Sequence, residues 1–119
     1  MYFFLVQCFY GDYMNLIYED KKIKIVDCNT FFSRLKGFMF KKDIQHALLF
    51  NKCNSIHTFF MKSNIDVIMC DKDNNVLFYY NSLSKNRIIL PKKNVYKTIE
   101  LPVNFFNIKV NTKVRIDEK

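Results

Sequence analysis

The residues best able to do chemistry gather in one short stretch, residues 55–70, which reads SIHTFFMKSNIDVIMC. It holds His57, whose side chain can act as a general base near neutral pH, and Asp66, a carboxylate among apolar neighbours. Cys53 lies just before this stretch and Cys70 ends it, so a Cys–His nucleophile pair is conceivable. Nothing in the local sequence favours that pair over two cysteines packed in a core.

A metal site receives little support from the same stretch. In an extended strand His57 and Met61 point the same way but lie about 13 Å apart, at roughly 3.3 Å per residue. They cannot bind one ion unless a bulge bends the strand. The cysteines lack the short pair spacing of a zinc site, so we predict buried, reduced thiols and neither a metal nor a cofactor. They are Cys8, Cys28, Cys53 and Cys70.

Asp66 is the more informative residue because Ile65 and Val67 flank it. Burial of a carboxylate without partners costs many kcal/mol, so a partner is needed. Arg34 is the leading candidate, with His57 and backbone N–H groups as the others. One interpretation is a structural Arg34–Asp66 pair that fixes two elements together. The other is a polar pocket in which Arg34 receives an anion.

Composition predicts strands rather than helices. The chain has 119 residues, of which 13 are Phe and 7 are Tyr, with no Trp and a single alanine, Ala47. Aromatic residues suit the half-buried surface of a sheet, and alanine-poor sequences form long helices poorly. Only two glycines are present, Gly11 and Gly37, which excludes a glycine-rich phosphate loop.

The formal net charge of +8 allows a nucleic-acid or anionic-membrane surface. It is equally explained by a lysine-rich surface that contacts only solvent. The lysines are scattered as singles and pairs, and arginine, the usual reader of bases, occurs at only three positions. Nucleic-acid binding is therefore the weaker interpretation. The arginines are Arg34, Arg87 and Arg115.

Alternation of apolar and polar residues predicts a mainly β fold of seven to eight short strands in one small domain, either a β-barrel or a jelly-roll-like sandwich. One short helix is expected near residues 30–37, capped by Asn29 or Thr30 and ended by Gly37. The predicted strands are 15–19, 22–28, 47–50, 55–61, 65–70, 76–80, 95–101 and 113–116, with a short apolar piece at 88–90.

Residues 1–13, MYFFLVQCFYGDY, are expected to lie outside the fold, which then spans 14–119. The apolar part is too short to cross a membrane, and we expect no transmembrane segment. It also lacks the basic start and small-residue cleavage site of a signal peptide. The expected location is cytoplasmic, with a degenerate export signal as the rival interpretation.

Several blocks, in order, resemble the domain of unknown function 192 family. They are TFFSRLKGFMF (30–40), ALLF (47–50), IHTFFMKSNIDVIMCDKDNNV (56–76) and VYKTIELP (95–102), and the resemblance covers about residues 27–116. The positions that match the family pattern are Arg34, Gly37, Met39, Phe40, Phe50, His57, Thr58, Met61, Asp66, Glu100 and Pro102.

The resemblance implies a small β-barrel or jelly-roll-like fold and no particular activity. The chain departs from the family pattern at three places. Ala47 replaces a glycine, Val103-Asn104 follow Glu-Leu-Pro where Ala-Gly is usual, and Asn111-Thr112 replace a Gly-Asp turn. Asparagine tolerates the left-handed backbone conformation better than most residues, so the fold should survive these changes.

These observations predict a non-enzymatic β-domain that binds a small ligand or a protein partner. The candidate binding site is the polar cluster of Arg34, His57, Thr58 and Asp66. The alternative is a hydrolase-like or metal-dependent enzyme that uses His57 and Asp66.

Overall fold

The computed structural model describes residues 13–29, 37–39 and 43–118, and within these ranges it contains nine strands and no helix. Most of these strands coincide with strands that the sequence pattern predicts. The strands are β1 (Tyr13–Tyr18), β2 (Lys21–Asp27), β3 (Ala47–Asn51), β4 (Ile56–His57), β5 (Ile65–Cys70), β6 (Val76–Leu83), β7 (Ile88–Ile89), β8 (Lys97–Leu101) and β9 (Arg115–Glu118).

Seven of these strands form one curled sheet in the order β6-β5-β8-β3-β2-β1-β9, and β4 pairs with β7 in a small second sheet. All neighbouring strands are antiparallel except β2 and β3. A two-residue turn at Glu19-Asp20 joins β1 to β2 in a hairpin. The mainly β prediction is therefore confirmed, with a half-barrel sheet in place of a closed barrel or sandwich.

A core cluster lies on each face of the large sheet at strand β5, where all six residues are buried. Ile68 and Cys70 belong to the cluster that also contains Leu16, Ile25 and Phe106. Their neighbours in the strand point the other way, into a second cluster. That second cluster includes Ile65, Val67 and Met69 together with Phe38, Phe50 and Ile89.

The curl brings the start of β6 close to the segment before β9. Asn75 bridges Lys113, and Val76 N donates to Thr112 O at 2.8 Å. Asn111 N donates back to Val76 O at 2.8 Å, from a left-handed conformation with φ 72°. Asparagine thus takes the backbone conformation for which the family pattern has a glycine turn, as predicted.

Two predicted elements differ from the structure. The strand predicted for 55–61 extends only over Ile56–His57. Phe60 takes φ 64°, and the chain turns away from the sheet there. Phe60 is 64% exposed, so the apolar residues of this stretch are not all covered. The helix predicted at 30–37 lies outside the described residues except for Gly37, which belongs to a turn. Residues 1–12 also lie outside the described residues.

Candidate functional site

Asp66 lies at the centre of the best-defined polar network in the described part of the chain. The side chain is fully buried, as predicted, and sits on β5. Oδ1 accepts hydrogen bonds from Ser82 N at 2.7 Å and Asn81 Nδ2 at 3.0 Å. Oδ2 accepts from Tyr79 Oη at 2.7 Å and Asn104 N at 3.0 Å. Each carboxylate oxygen therefore has two donors, which offsets much of the desolvation cost.

An irregularity in the pairing of β5 with β6 creates this arrangement. Ile65 pairs with Leu83 but Val67 pairs with Tyr80, so β6 has one extra residue opposite Asp66. Such a bulge bends the strand and redirects its groups. Ser82, at φ 55°, points its N–H at the carboxylate, and the Asn81 side chain reaches the same atoms.

Two asparagine amides continue the network toward the surface. Asn81 Nδ2 also donates to Asn104 Oδ1 at 2.8 Å, and both side chains are exposed. Asn104 has φ 62°, a conformation that asparagine tolerates. It stands at the second position after Pro102, where the family pattern usually has glycine, so this chain places an additional amide beside the buried carboxylate.

A cavity of about 610 Å³ opens above these amides. Its size falls within the range of small-molecule sites, roughly 300–1,000 Å³. The hairpin turn between β1 and β2 forms one wall and the segment after β8 forms another. The lining residues are Tyr18, Glu19, Asp20, Lys21, Tyr79, Asn81, Asn104, Phe105, Phe106 and Asn107.

The walls of the cavity are fixed by aromatic packing and hydrogen bonds. Lys21 Nζ donates to Phe105 O at 2.6 Å and lies 4.6 Å from the centre of the Phe105 ring. Burial, and then the hydrogen bond to Asp66, raise the pKa of Tyr79 to about 12. Its hydroxyl therefore remains a donor at neutral pH. The Asp66 carboxylate has four hydrogen-bond donors and no cation among its described partners.

His57 and Thr58 belong to a different network. Thr58 is buried, and its Oγ1 donates to Ser84 O at 2.8 Å and accepts from Arg87 N at 2.8 Å. His57 Nδ1 accepts from Phe59 N at 3.2 Å, and the two rings stack with centroids 5.3 Å apart. None of the hydrogen bonds of Asp66 involves either residue, so the structure does not join them as one polar cluster.

Thr58 clamps residues 84–87 onto β4, and we expect Thr58→Val to lower the free energy of unfolding by about 2 kcal/mol. The change keeps the shape but leaves a carbonyl and an N–H without their partner. Urea denaturation of both proteins measures the difference. Ser84→Ala is the control, because that side chain is exposed and should change stability by less than about 0.5 kcal/mol. Equal midpoints for Thr58→Val and the parent would contradict the clamp.

Arg34, the fourth member of the predicted cluster, lies outside the described residues.

The described ranges contain no group of three or more His, Cys, Asp or Glu side chains that could hold a metal. Burial raises the pKa of Cys70 to about 12, so this thiol is not a ready nucleophile. Since the described residues form no helix, none of them makes a helix long and apolar enough to cross a membrane.

Comparison with known proteins settles the family. Residues 15–116 match the family model DUF192, described as "Uncharacterized ACR". The chain belongs to the domain of unknown function 192 family. A UPF0127 protein of Thermococcus kodakarensis is 41% identical over 88 residues, which are 69% of this chain and 54% of that protein. A UPF0127 protein of Pyrococcus abyssi is 36% identical over 104 residues, covering 82% and 83% of the two chains.

The match thus spans only about half of the length of the Thermococcus relative. A solved structure of a protein of unknown function from Novosphingobium aromaticivorans has the same fold, with a TM-score of 0.71. It is 13% identical in sequence, and the superposition covers 87% of this chain and 83% of that one. This domain of unknown function 192 protein therefore shares the half-barrel fold with a distant chain.

Two motif residues of the domain of unknown function 192 family, 63 positions apart, meet in the structure. A Cβ on Gly37 would lie 3.0 Å from Glu100 Oε1, and Gly37 has φ 50°. Glu100 is buried on β8, and Phe38 N donates to its carboxylate. Within the described part of the chain, Glu100 Oε1 has no hydrogen-bond partner. Burial raises the pKa of Glu100 to about 8, while the Phe38 hydrogen bond acts in the opposite direction.

Three further motif positions lie in or beside the second core cluster. Phe50 and Met61 are buried in the second cluster, and Met39 packs against it. Pro102 follows the last residue of β8, as predicted. Phe40 lies outside the described residues.

Proposed function

We propose that the domain binds a small, hydroxyl-rich molecule of neutral or positive charge in the cavity above Asp66. The observation that carries the proposal is the chain of hydrogen bonds from the buried Asp66 to the exposed Asn81 and Asn104. A buried carboxylate that orients exposed amides gives the cavity floor a fixed geometry. Polar groups that are already held in place lower the cost of ordering on binding.

The chemistry of the lining supports this class of ligand. Asn81 Oδ1 and Asn104 Nδ2 have no partner among the described residues, so an acceptor and a donor remain for a ligand. Glu19 and Asp20 add exposed carboxylates at the rim. Carboxylates accept hydrogen bonds from hydroxyl or amino groups and repel anions. A sugar or an amino sugar has the required groups, whereas a phosphate or a carboxylate ligand does not.

The sequence predicts one cluster of Arg34, His57, Thr58 and Asp66. Only Asp66 takes part in this proposal. Asp66 acts indirectly, because both of its oxygens already accept hydrogen bonds from donors within the protein. It positions the amides and does not touch the ligand. Binding at His57 and Thr58 is therefore a separate possibility that the same experiment distinguishes.

The test is a nuclear magnetic resonance titration of the isotopically labelled protein with neutral sugars, amino sugars and a sugar phosphate. We expect shifts at Asn81, Asn104 and Asn107 with the first two classes and none with the sugar phosphate. Asn107→Ala removes one lining amide that has no described hydrogen bond and should weaken binding about 3- to 10-fold. Asn54→Ala, exposed and outside the cavity, is the matched control and should bind as the parent does.

Two results would overturn the proposal. One is the absence of shifts at the cavity with every neutral and amino sugar tested. The other is a set of shifts centred on His57 and Thr58, which would place a ligand at the alternative site.

A further inference from the structure

The small sheet of β4 and β7 presents an apolar face to solvent. His57 pairs with Ile88 across this sheet, so their side chains share a face, while Ile56 and Ile89 point toward the second core cluster. Phe59 stacks on His57, and Leu90 follows two residues after Ile88. The exposed fractions are 37% for Phe59, 58% for Ile88 and 70% for Leu90.

Phe60 follows Phe59 in the chain and has an unusual backbone conformation. It is 64% exposed and has φ 64°, a region that bulky residues rarely occupy. Strained residues of this kind concentrate at binding sites. We define the apolar face as Phe59, Phe60, Ile88 and Leu90, which are four of the five large apolar side chains exposed in the described ranges.

The two segments that carry the apolar face are basic, and we call their cations the basic rim. The two segments that form it, residues 52–64 and 84–94, contain no aspartate or glutamate. Five of their six cations are exposed, namely Lys52, Lys62, Lys85, Arg87 and Lys93. The complete set of cations in these segments is Lys52, Lys62, Lys85, Arg87, Lys92 and Lys93. These two segments therefore carry six positive charges and no negative one, within a formal net charge of +8 for the chain.

We propose that the apolar face and its basic rim dock onto the surface of a bilayer that contains anionic lipids. Phe60, Ile88 and Leu90 would insert at the boundary between headgroups and acyl chains. Lysine and arginine side chains would contact the lipid phosphates. This combination of an exposed apolar face and a basic rim is typical of binding at the membrane interface.

Other occupants fit the face less well. Single-stranded nucleic acid would stack bases on Phe59 or Phe60, but the aliphatic Ile88 and Leu90 have no ring face to offer. A second copy of the chain would bring two basic rims together, which like charges oppose. Side chains that are 58–70% exposed protrude from the surface, which suits insertion into lipid better than a groove for a peptide.

The experiment is flotation of the full chain with vesicles of phosphatidylcholine, alone or mixed with phosphatidylglycerol. We expect binding only to the mixed vesicles, and weaker binding as salt rises. The double variant Ile88→Thr/Leu90→Ser should bind about tenfold or more weakly, because two inserted side chains are lost. Val110→Thr, which alters an exposed apolar residue elsewhere in the fold, should bind as the parent does.

Charge is tested in the same assay with two variants of equal net charge. Lys85→Gln/Lys93→Gln removes two rim cations, and Lys22→Gln/Lys109→Gln removes two exposed cations outside the two segments. Only the first pair should weaken vesicle binding. Thermal melts of all variants establish that each one folds.

The proposal is overturned if the parent fails to bind the mixed vesicles, or if the double variant binds them as well as the parent. Equal losses for both charge variants would also overturn it, because the attraction would then come from net charge alone. Binding of a fluorescent oligothymidine in the absence of vesicle binding would assign the face to nucleic acid. The cavity above Asp66 is not part of this face, so sugar binding can succeed or fail independently.

Discussion

Asp66→Asn is expected to lower the free energy of unfolding by more than 2 kcal/mol, and by roughly 2–4 kcal/mol. The aspartate carboxylate only accepts hydrogen bonds, and four donors converge on it. An asparagine in the same place must direct its own NH₂ group at two of them. The backbone N–H groups of Ser82 and Asn104 cannot rotate away, so at least one donor becomes unpaired in a buried position.

Urea denaturation measures this loss, with Asp73→Asn as the control. Asp73 is an exposed carboxylate in a turn, and its replacement should change stability by less than about 0.5 kcal/mol. Asp66→Asn should also shift the nuclear magnetic resonance signals of Asn81 and Asn104. An unchanged urea midpoint for Asp66→Asn would show that the four donors do not depend on the negative charge.

Arg34→Ala combined with Asp66→Asn tests the ion pair that the sequence suggests. Both oxygens of Asp66 already have two donors, so we expect the two changes to be additive. Additivity is the behaviour of residues without a shared contact. A coupling energy above about 0.5 kcal/mol would establish the Arg34–Asp66 pair after all.

The sequence was sufficient to predict the faces of β5 and the burial of Asp66. A strand has a two-residue period, so an unbroken apolar run flanking a carboxylate requires burial on both faces. The identity of the partners could not be predicted in the same way. Tyr79 and Asn81 lie on the returning strand after the turn at 71–75, but the bulge opposite Asp66 shifts the register. Counting residues across a hairpin fails at such a bulge.

The apolar residues after His57 show a second limit of periodicity. The pattern in 55–61 predicts a buried strand, yet Phe59 and Phe60 are exposed. An apolar residue in the sequence does not specify whether the same chain covers it or leaves it as a surface patch. The backbone of Phe60, at φ 64°, decides the outcome, and no local sequence signal such as glycine or asparagine announces that conformation.

Glu100 makes the stability of the domain depend on pH in a direction opposite to that of most carboxylates. Burial raises its pKa from 4.5 to about 8 in the folded state. Between these values the folded protein binds a proton that the unfolded chain has released. The contribution of Glu100 to stability is therefore greatest below about pH 4.5, falls as pH rises through about 8, and then levels off.

We expect this group to lower the free energy of unfolding by roughly 3–5 kcal/mol between pH 4.5 and pH 8.5. Urea denaturation at several pH values measures the total, to which other titrating groups contribute. Glu100→Gln isolates the contribution of Glu100, because every other group is retained. The variant should keep an acceptor for Phe38 N and show a much flatter pH profile than the parent.

The decisive quantity is how the difference in the free energy of unfolding between the parent and Glu100→Gln changes with pH. The substitution itself also lowers the free energy of unfolding by an amount that does not vary with pH. Its NH₂ group occupies a buried place beside Gly37, where the described residues offer Glu100 Oε1 no partner. The variant should thus be less stable than the parent at pH 5 and equal or more stable at pH 8.5. Parallel profiles would show that Glu100 titrates near its ordinary pKa, and that a positive charge reaches the carboxylate in the folded state.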